Sequence, residues 1–313
     1  MGNQQLIFRS LLLLLSALLA VFGAFAQPGP ITTQAIQRVQ TGDLMAAQTA
    51  IIQALQSKDE GQSAYTWYVK GYIFKEIYKD IDKGNPQSEN RDVAVEAILY
   101  SMELLAKQPS AEGELNENNT KALSYLALSY YNDAVLLTRS LAAENIEAPE
   151  HYYRRYKTLY KRVEPNRDFK AQDVEFYKNM ARGCRLIYEK DPLNSSVYYA
   201  KSNAYLQQAI DLAPNDFQAN YNLAVSHYNH GVHKIKQIDH NTEIYELIRI
   251  QDECIALFKL ALPYMRKAHE LKPDHRKTLG GLMAIYRSLS EDDQASTYQQ
   301  LLEELIKQNK LDD

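Results

Sequence analysis

The segment that decides the fold reads YNLAVSHYNHG at residues 221–231, and after a connector it is followed by ALPYMRKAHELKP at residues 261–273. In the first segment, Leu223, Ala224 and His227 fall on one face of a helix, because residues three or four positions apart meet on a helix surface. Ala224 is small, which suits a position where a partner helix approaches closely. The pattern therefore predicts an amphipathic helix packed against a neighbour.

The second segment predicts the partner helix. Small and flexible apolar residues form a narrow stripe along it, comprising Ala261, Met265 and Ala268. Pro273 follows the stripe and stops the helix. Pro263 removes a backbone hydrogen bond within the segment, which predicts a kink or a helix that restarts there. In the first segment, Gly231 is expected to loosen or end the regular turn.

Together these two segments resemble one tetratricopeptide repeat (TPR), a unit of two helices. The positions that match the family pattern are Leu223, Ala224, Ala261, Ala268 and Pro273. Asn220, His227 and Met265 stand where the family usually has Trp, Tyr and an aromatic residue. The connector at residues 233–257 is far longer than the family's tight turn, so this repeat carries an insertion or unusually long helices.

The chain also repeats itself. LALSYYNDAV at residues 126–135 aligns without gaps to LAVSHYNHGV at residues 223–232, and six of the ten positions are identical. The offset of 97 residues is close to three units of about 34 residues, the length of a TPR. Each copy is followed by a long stretch before its second helix. Such self-similarity indicates a repeat array.

Further segments follow the same template and predict about six helix pairs in all. Residues 31–56 make a short, degenerate opening pair around Gly42, and the last pair has a second helix that starts at Ser290, where Asp293 gives a capping-box-like signal. Sustained period-two alternation is absent. The predicted fold class is all-α, a TPR-like superhelix (solenoid) with long inserted connectors. The residues that mark the other units are Trp67, Gly71, Phe74, Ala97, Pro109, Tyr177, Met180, Ala181, Cys184, Ala209, Pro214, Leu279, Leu282, Met283 and Tyr286.

The N-terminal residues predict export. An apolar run at residues 11–25 follows Arg9, and Ala24-Phe25-Ala26 fits the small-x-small cleavage rule. We therefore expect a signal peptide at 1–26, a degenerate helix pair at 27–60 and a TPR-like repeat domain at 61–313. An uncleaved membrane anchor is the alternative. After cleavage no transmembrane segment is expected, and the predicted location is periplasmic or secreted.

Composition and motifs exclude several function classes. The formal net charge of -4 argues against general nucleic-acid binding. The signatures of metalloproteases, serine hydrolases, phosphate-binding loops and dithiol redox sites are missing, so we expect no catalysis and no cofactor. Cys184 and Cys254 could form a disulfide in an exported protein, but packing as small apolar groups is the favoured interpretation.

Two constellations suggest more specific sites. His227, His230, His233 and His240 resemble a metal-binding run, but His227 aligns with Tyr130 of the internal repeat and so takes a packing position, and no metal site is expected. Residues 151–162 interleave tyrosines with basic residues, a pattern that suits an acidic ligand. The favoured alternative buries the tyrosines that recur every four residues and leaves the cations solvated; these tyrosines are Tyr152, Tyr156 and Tyr160.

Tyrosine is abundant, with 23 of 313 residues. The TPR resemblance places part of this set in the concave groove that repeats of this family use for binding, where rigid tyrosines beside amides suit a peptide or a sugar. The alternative is that the connectors fold over the groove. The partner-binding residues expected from the resemblance are Tyr65, Tyr68, Tyr72, Lys75, Tyr131, Asn132, Tyr221, Tyr228 and Asn229.

The resulting functional prediction is a non-enzymatic scaffold that binds an unknown protein or peptide in the periplasm or cell envelope. A carbohydrate-binding module that uses the tyrosine-rich groove is the alternative. The recurrence of Asn132 and Asn229 in the two related segments favours a binding role, because an amide offers both a donor and an acceptor. Alternatively, each asparagine satisfies a backbone group near its own connector.

Overall fold

The computed structural model describes residues 28–107 and 113–309. Within these two ranges all regular secondary structure is helical and no strand occurs. The prediction of an all-α chain is confirmed. The predicted signal peptide at residues 1–26 and the predicted repeat-closing residue Pro109 lie outside the described residues.

The described ranges contain twelve α-helices. In chain order they are α1 (Pro30–Gln40), α2 (Leu44–Gln56), α3 (Ala64–Ile77), α4 (Glu89–Ala106), α5 (Glu114–Arg139), α6 (Ala148–Val163), α7 (Lys170–Lys190), α8 (Ser196–Leu212), α9 (Phe217–Ile235), α10 (Ile244–Leu271), α11 (Arg276–Ser288) and α12 (Asp292–Asn309). Single turns of 3-10 helix occur at Glu60–Gln62 and Ala143–Asn145, and a π-helical turn at Tyr78–Asp82 continues α3.

Consecutive helices pack in pairs: α1 with α2, α3 with α4, α7 with α8, α9 with α10 and α11 with α12. Helices α5 and α6 meet through Tyr131 and Tyr156, whose ring centroids lie 5.1 Å apart. The described ranges therefore hold six helix pairs, in agreement with the sequence prediction.

Contacts divide the chain into two compact units. Unit 1 comprises the described residues up to Asp133 together with Arg154–Pro165, and unit 2 comprises Ala134–Tyr153 together with the residues from Asn166 onward. The domain limits expected from sequence, 27–60 and 61–313, stay a prediction.

The core of unit 1 begins where α1, α2 and α3 meet. Its fully buried side chains are alanines and isoleucines, which permit close helix approach; they include Ala35, Ala47, Ile51, Ala54 and Ile73. Glu60 closes the N-terminal end of α1, because its carboxylate accepts hydrogen bonds from the Thr32 backbone N–H (2.8 Å) and the Thr32 hydroxyl (2.6 Å). A carboxylate is stabilised there by the unsatisfied N–H groups of a helix's first turn.

Two helices end with a residue in the left-handed conformation. Gly42 (φ 79°) follows α1, and Ser290 (φ 59°) follows α11. At both ends the N–H groups of this residue and of the next one donate to carbonyls of the last helical turn, which is the Schellman arrangement. Ser290 therefore terminates α11, and α12 begins at Asp292. The prediction that Ser290 starts the last helix is wrong.

The pair α9–α10 forms part of the core of unit 2. Gly231 lies inside α9 and does not end it, since the helix continues to Ile235. A Cβ at Gly231 would lie 2.7 Å from the Phe258 ring of α10, so the prediction that this glycine loosens the helix is wrong: it permits close approach of an aromatic side chain. Ala224 and Ala268 are fully buried, as their small size indicated.

The extra residues of this repeat belong to its second helix. The connector spans only residues 236–243, and α10 extends over 28 residues. Of the two alternatives given by the sequence, long helices rather than an inserted loop account for the extra residues. Helix α10 is continuous through Pro263, so of the two predicted outcomes the restart is excluded and the kink stays a prediction.

Candidate binding site

Helix α3 carries a row of tyrosines that ends in a lysine. The ring centroids of Tyr65 and Tyr68 lie 6.2 Å apart, and those of Tyr68 and Tyr72 lie 6.3 Å apart. The Lys75 ammonium lies 4.5 Å from the centre of the Tyr72 ring, within the range of a cation–π interaction. The structure thus brings together four of the residues expected to bind a partner. We call Tyr65, Tyr68, Tyr72 and Lys75 the tyrosine ladder.

The ladder is held in place by the two buried faces of α3. Val69, Ile73 and Ile77 pack into the core with α1 and α2. On another face, Gly71 lies so close to α4 that a Cβ would lie 2.6 Å from Ile98. The rotation of α3 is therefore determined by packing on both sides, and the ladder residues keep a common direction. All four ladder side chains are half-buried.

Charge at the end of the ladder is balanced locally. The Lys75 ammonium donates to Glu76 at 2.5 Å, and Glu76 also accepts from Lys79 at 2.7 Å. Burial lowers the pKa of Lys75, while Glu76 acts in the opposite direction. Tyr125 of α5 adds a second ring, 5.9 Å from the Lys75 ammonium. A ligand at this end of the ladder meets a cation that lies between two aromatic faces.

The ladder phenols remain neutral at ordinary pH. Burial and the neighbouring Glu76 raise the pKa of Tyr72 to about 12. The pKa values of Tyr68 and Tyr65 are also raised by burial, and nearby Glu114 adds to both shifts. Within residues 28–107 and 113–309, none of these three hydroxyls forms a hydrogen bond with the protein. Each one is thus a donor and an acceptor for a ligand.

The other predicted binding residues lie on α5 and α9. Tyr131 packs on Tyr156 of α6, and Tyr228 packs on Phe258 of α10 with ring centroids 5.3 Å apart. These equivalent tyrosines thus join the two helices of their repeats. Tyr221 lies against Phe217 and against His275, which precedes α11. All three tyrosines are half-buried.

Asn132 and Asn229 are both exposed. In the part of the chain that the structure describes, neither side chain has a hydrogen-bond partner. The hypothesis that each asparagine satisfies a backbone group near its connector therefore receives no support from the described contacts. Their role in binding stays a prediction.

Unit 2 contains a second tyrosine-rich region, between α7, α8 and α9. The Tyr188 hydroxyl lies 2.7 Å from His230 Nδ1, and the Tyr199 hydroxyl lies 2.8 Å from His227 Nδ1. The His230 ring also stacks on Tyr199, with centroids 3.9 Å apart. We call Tyr188, Tyr199, His227 and His230 the tyrosine–histidine cluster. In contrast to the ladder phenols, both of its phenols have partners within the protein.

The histidines of this cluster are held in the neutral form. Burial lowers the pKa of His227, and burial together with the Lys234 charge lowers the pKa of His230 to about 4. Among the described residues no group of three or more His, Cys, Asp or Glu side chains is arranged to hold a metal ion. His227 and His230 connect α9 with α8 and α7 through their hydrogen bonds to Tyr199 and Tyr188.

Three further expectations from the sequence concern the cysteines, the basic segment of α6 and membrane spans. Cys184 and Cys254 are buried free thiols, as the apolar-packing interpretation expects. In the basic segment of α6, Tyr156 is buried as predicted, while Tyr152 and Tyr160 are only half-buried, because Tyr153 and Leu159 take the remaining inward positions. No helix within 28–107 or 113–309 has the length and apolarity needed to cross a membrane.

A buried polar network in unit 1 was not found from the sequence. Arg91 of α4 is fully buried and forms an ion pair with Asp133 of α5. Its guanidinium carbon also lies 3.9 Å from the centre of the Tyr130 ring. Arg91 is one of several basic residues in polar surroundings, so no local signal indicated that it would be buried.

Comparison with known proteins finds only distant structural similarity. No protein-family model matches the sequence, and no curated protein matches it. Similar solved structures include the human IFIT1 dimer with m7Gppp-AAAA, which is 12% identical with a TM-score of 0.35, over 86% of this chain and 58% of that chain. The chain thus spans little more than half of the IFIT1 chain.

Two further solved structures are matched over a larger share of their own length. MamA is 16% identical with a TM-score of 0.32, over 74% of this chain and 96% of that chain. An assembly chaperone of RpL4, Acl4, is 12% identical with a TM-score of 0.24, over 92% of this chain and 98% of that chain. These similarities are too low to transfer a partner or an activity to this protein.

Proposed function

We propose that this chain is a non-enzymatic scaffold that binds an extended segment of another protein along the tyrosine ladder. The observation that carries this proposal is the set of three half-buried phenols on α3 that have no hydrogen-bond partner in the described residues. None of these three hydroxyls is fully buried, so each is accessible to a ligand and can exchange a hydrogen bond with water for one with the ligand.

The spacing of the ladder suits an extended peptide. An extended chain advances about 3.3 Å per residue, so side chains on one face recur about every 6.6 Å. The ladder rings are 6.2 and 6.3 Å apart. Each ring can therefore pack against every second residue of the peptide, while its hydroxyl bonds to the peptide backbone. Lys75 and its partner Glu76 offer one charge of each sign at the end of the row.

The proposed place of action is outside the cytoplasm, in the periplasm or cell envelope. The apolar run at residues 11–25 and the Ala24-Phe25-Ala26 sequence support export. N-terminal sequencing of the exported protein tests this part of the proposal, and it should find Gln27 as the first residue. A chain that retains residues 1–26 in the membrane fraction would show that the segment is an anchor.

The binding proposal is tested by removing only the ladder hydroxyls. The triple variant Tyr65→Phe, Tyr68→Phe and Tyr72→Phe keeps the rings, so its melting temperature should match that of the unchanged protein. Each lost hydrogen bond should weaken binding by about 0.5–1.5 kcal/mol. The measurement is affinity capture from envelope extract followed by mass spectrometry, and then titration of peptides from the captured protein.

Tyr100→Phe is the matched control, because Tyr100 of α4 is also partly exposed but lies outside the ladder. It should capture the same protein as the unchanged chain. Equal capture by the triple variant would contradict the proposal. If enzymatic deglycosylation of the extract abolishes ladder-dependent capture, the ligand is a glycan and the carbohydrate-binding alternative applies.

A further inference from the structure

The tyrosine–histidine cluster joins two successive helix pairs of unit 2. Its tyrosines belong to the pair α7–α8, because Tyr188 lies near the end of α7 and Tyr199 lies near the start of α8. Its histidines belong to α9, whose partner helix is α10. Each histidine forms a hydrogen bond with one of the two phenols, and the His233 ring adds an edge contact 5.9 Å from Tyr188. One end of the boundary between the two pairs therefore depends on histidine side chains.

The other end of the same boundary is apolar. Side chains from the early part of α7, the late part of α8 and the early part of α9 form one buried core there; they are Val174, Ala181, Leu206, Ala209, Ile210, Ala219 and Leu223. None of these side chains titrates. The two ends thus differ, because only the end with the cluster carries groups that change charge near neutral pH when they reach water.

The groups that face the histidines offer little negative charge. From α7 and α8 they are the neutral phenols of the cluster. From α10 the Tyr264 ring stacks on His227, with centroids 6.4 Å apart, and Glu253 is the carboxylate near His230. Glu253 is already bonded to two cations of the chain; they are Lys234 and Arg249. A proton on either histidine therefore adds a charge that the surroundings compensate poorly.

Acid should favour a form of the chain in which these histidines reach water. Burial and the nearby positive charge of Lys234 lower the pKa of His230 to about 4, and burial lowers the pKa of His227. An exposed histidine titrates near 6.5. Protonation also changes the contact itself, because Nδ1 of a neutral histidine can accept the phenol proton, whereas a protonated histidine is a donor at both ring nitrogens.

We propose that the boundary between α7–α8 and α9–α10 is an acid-sensitive hinge. In acid, the part of α9 that carries the histidines moves away from α7 and α8, while the apolar core at the start of α9 stays closed. In a repeat array each unit contacts only its neighbours, so one boundary can open while the helix pairs on both sides of it remain folded.

The size of the response follows from the difference between the two forms. Through His230 alone, the ratio of open to closed form should rise about 70-fold between pH 7.5 and pH 4.5, since the open form binds the proton near pH 6.5 and the closed form near pH 4. His227 acts in the same direction. The proposal does not depend on the function of the tyrosine ladder.

Distances between spin labels test the hinge in the full chain. One pair of labels spans the boundary, at Lys201→Cys of α8 and Ala256→Cys of α10. A second pair lies within α7–α8, at Arg182→Cys and Gln208→Cys. All four positions are exposed, whereas both native cysteines are buried. Lowering the pH from 7.5 to 4.5 should lengthen and broaden the distance across the boundary and leave the distance within α7–α8 unchanged.

The role of the histidines is tested by His227→Gln combined with His230→Gln. The glutamine oxygen can accept from a phenol but takes up no proton in this pH range. The distance across the boundary should then stay constant from pH 7.5 to pH 4.5. His240→Gln is the control, because His240 is exposed in the connector between α9 and α10, and this variant should keep the full response.

Circular dichroism at pH 7.5 checks that the variants are folded. If the double variant does not fold, His230→Gln alone takes its place and should reduce the lengthening. A distance across the boundary that is the same at both pH values in the chain with its native histidines would overturn the proposal, and so would full lengthening in the glutamine variant. An equal change in both label pairs would show general unfolding and would overturn it too.

Discussion

Helices α5 and α9 carry related ten-residue motifs, but different side-chain interactions join each of them to the helices that precede it. The apolar and small positions behave alike in both copies and are buried; they are Leu126, Ala127, Ser129, Leu223, Ala224 and Ser226. The fifth and eighth positions differ. They are Tyr130 and Asp133 in α5, and His227 and His230 in α9.

In α5 these two positions hold a buried cation. Asp133 forms the ion pair with Arg91, and the Tyr130 ring faces the same guanidinium. In α9 the same positions bind the neutral phenols of the tyrosine–histidine cluster. The apolar positions of a repeat thus determine how its helices pack, and its polar positions determine the chemistry and the pH response of the contact.

The largest effect is expected from breaking the charged connection of α5. Asp133→Ala leaves Arg91 buried without its counter-charge, which should destabilise the protein by about 3–5 kcal/mol. Urea unfolding followed by circular dichroism measures this loss. Glu103→Ala is the control, since its ion pair with Lys107 is exposed and is worth at most about 1 kcal/mol. Equal effects of the two substitutions would show that Arg91 does not depend on Asp133.

A smaller effect is expected where the two motifs differ in one methyl group. Ala134 and Gly231 are equivalent and buried, but only Gly231 has an aromatic ring where the Cβ would lie. Gly231→Ala should therefore destabilise the protein, because overpacking against Phe258 costs about 1–3 kcal/mol and the better helix propensity of alanine offsets only about 0.5–1 kcal/mol of this. Gly280→Ala is the matched control within a helix, because a Cβ there has open space, and it should stabilise by about 0.5–1 kcal/mol. A stabilised Gly231→Ala variant would contradict the close approach of α10.

The neutral connection of α9 predicts a response to acid. Its histidines have pKa values lowered from 6.5, that of His230 to about 4, so the unfolded chain binds protons before the folded one does. Their contribution is present above pH 6.5 and is lost as the pH falls toward 4. His230→Gln should reduce the loss of melting temperature over this interval. A melting temperature with the same pH dependence in both proteins would contradict a neutral, buried His230.

The smallest change in stability is expected at the asparagines that the two motifs share. Asn132→Ala and Asn229→Ala remove exposed side chains without partners in the described residues, so unfolding should change by less than about 0.5 kcal/mol. If these amides bind the partner, capture decreases while the melting temperature stays the same. A lowered melting temperature with capture retained would show that they are structural.

Periodicity in the sequence was sufficient to predict the helical class, the helix pairs and the internal repeat. The apolar stripe of each helix is local information, and so is the common direction of Tyr65, Tyr68 and Tyr72. Which side chains become buried between two helices, however, cannot be read from the local sequence. Gly231 has the same sequence signal whether it ends a helix or faces an aromatic ring, and only the position of Phe258 decides between the two.

Other features depended on contacts between distant segments. The residues of the extended α10 are compatible with both a helix and a connector, and its packing against α9 selects the helix. Arg91 and Glu60 are charged residues that become buried because Asp133 and the first turn of α1 supply partners. For the ladder, the spacing of its tyrosines was readable from the sequence, but the lack of partners for their hydroxyls required the structure.

The most direct test of the ladder as the binding site is photo-cross-linking. A benzophenone amino acid replaces Tyr72 in one variant and Tyr100 in another, and both proteins are irradiated in envelope extract. We expect a partner protein to become attached at position 72 and not at position 100, and mass spectrometry then identifies the attached segment. Attachment at position 100 alone, or equally at both positions, would contradict binding along the ladder.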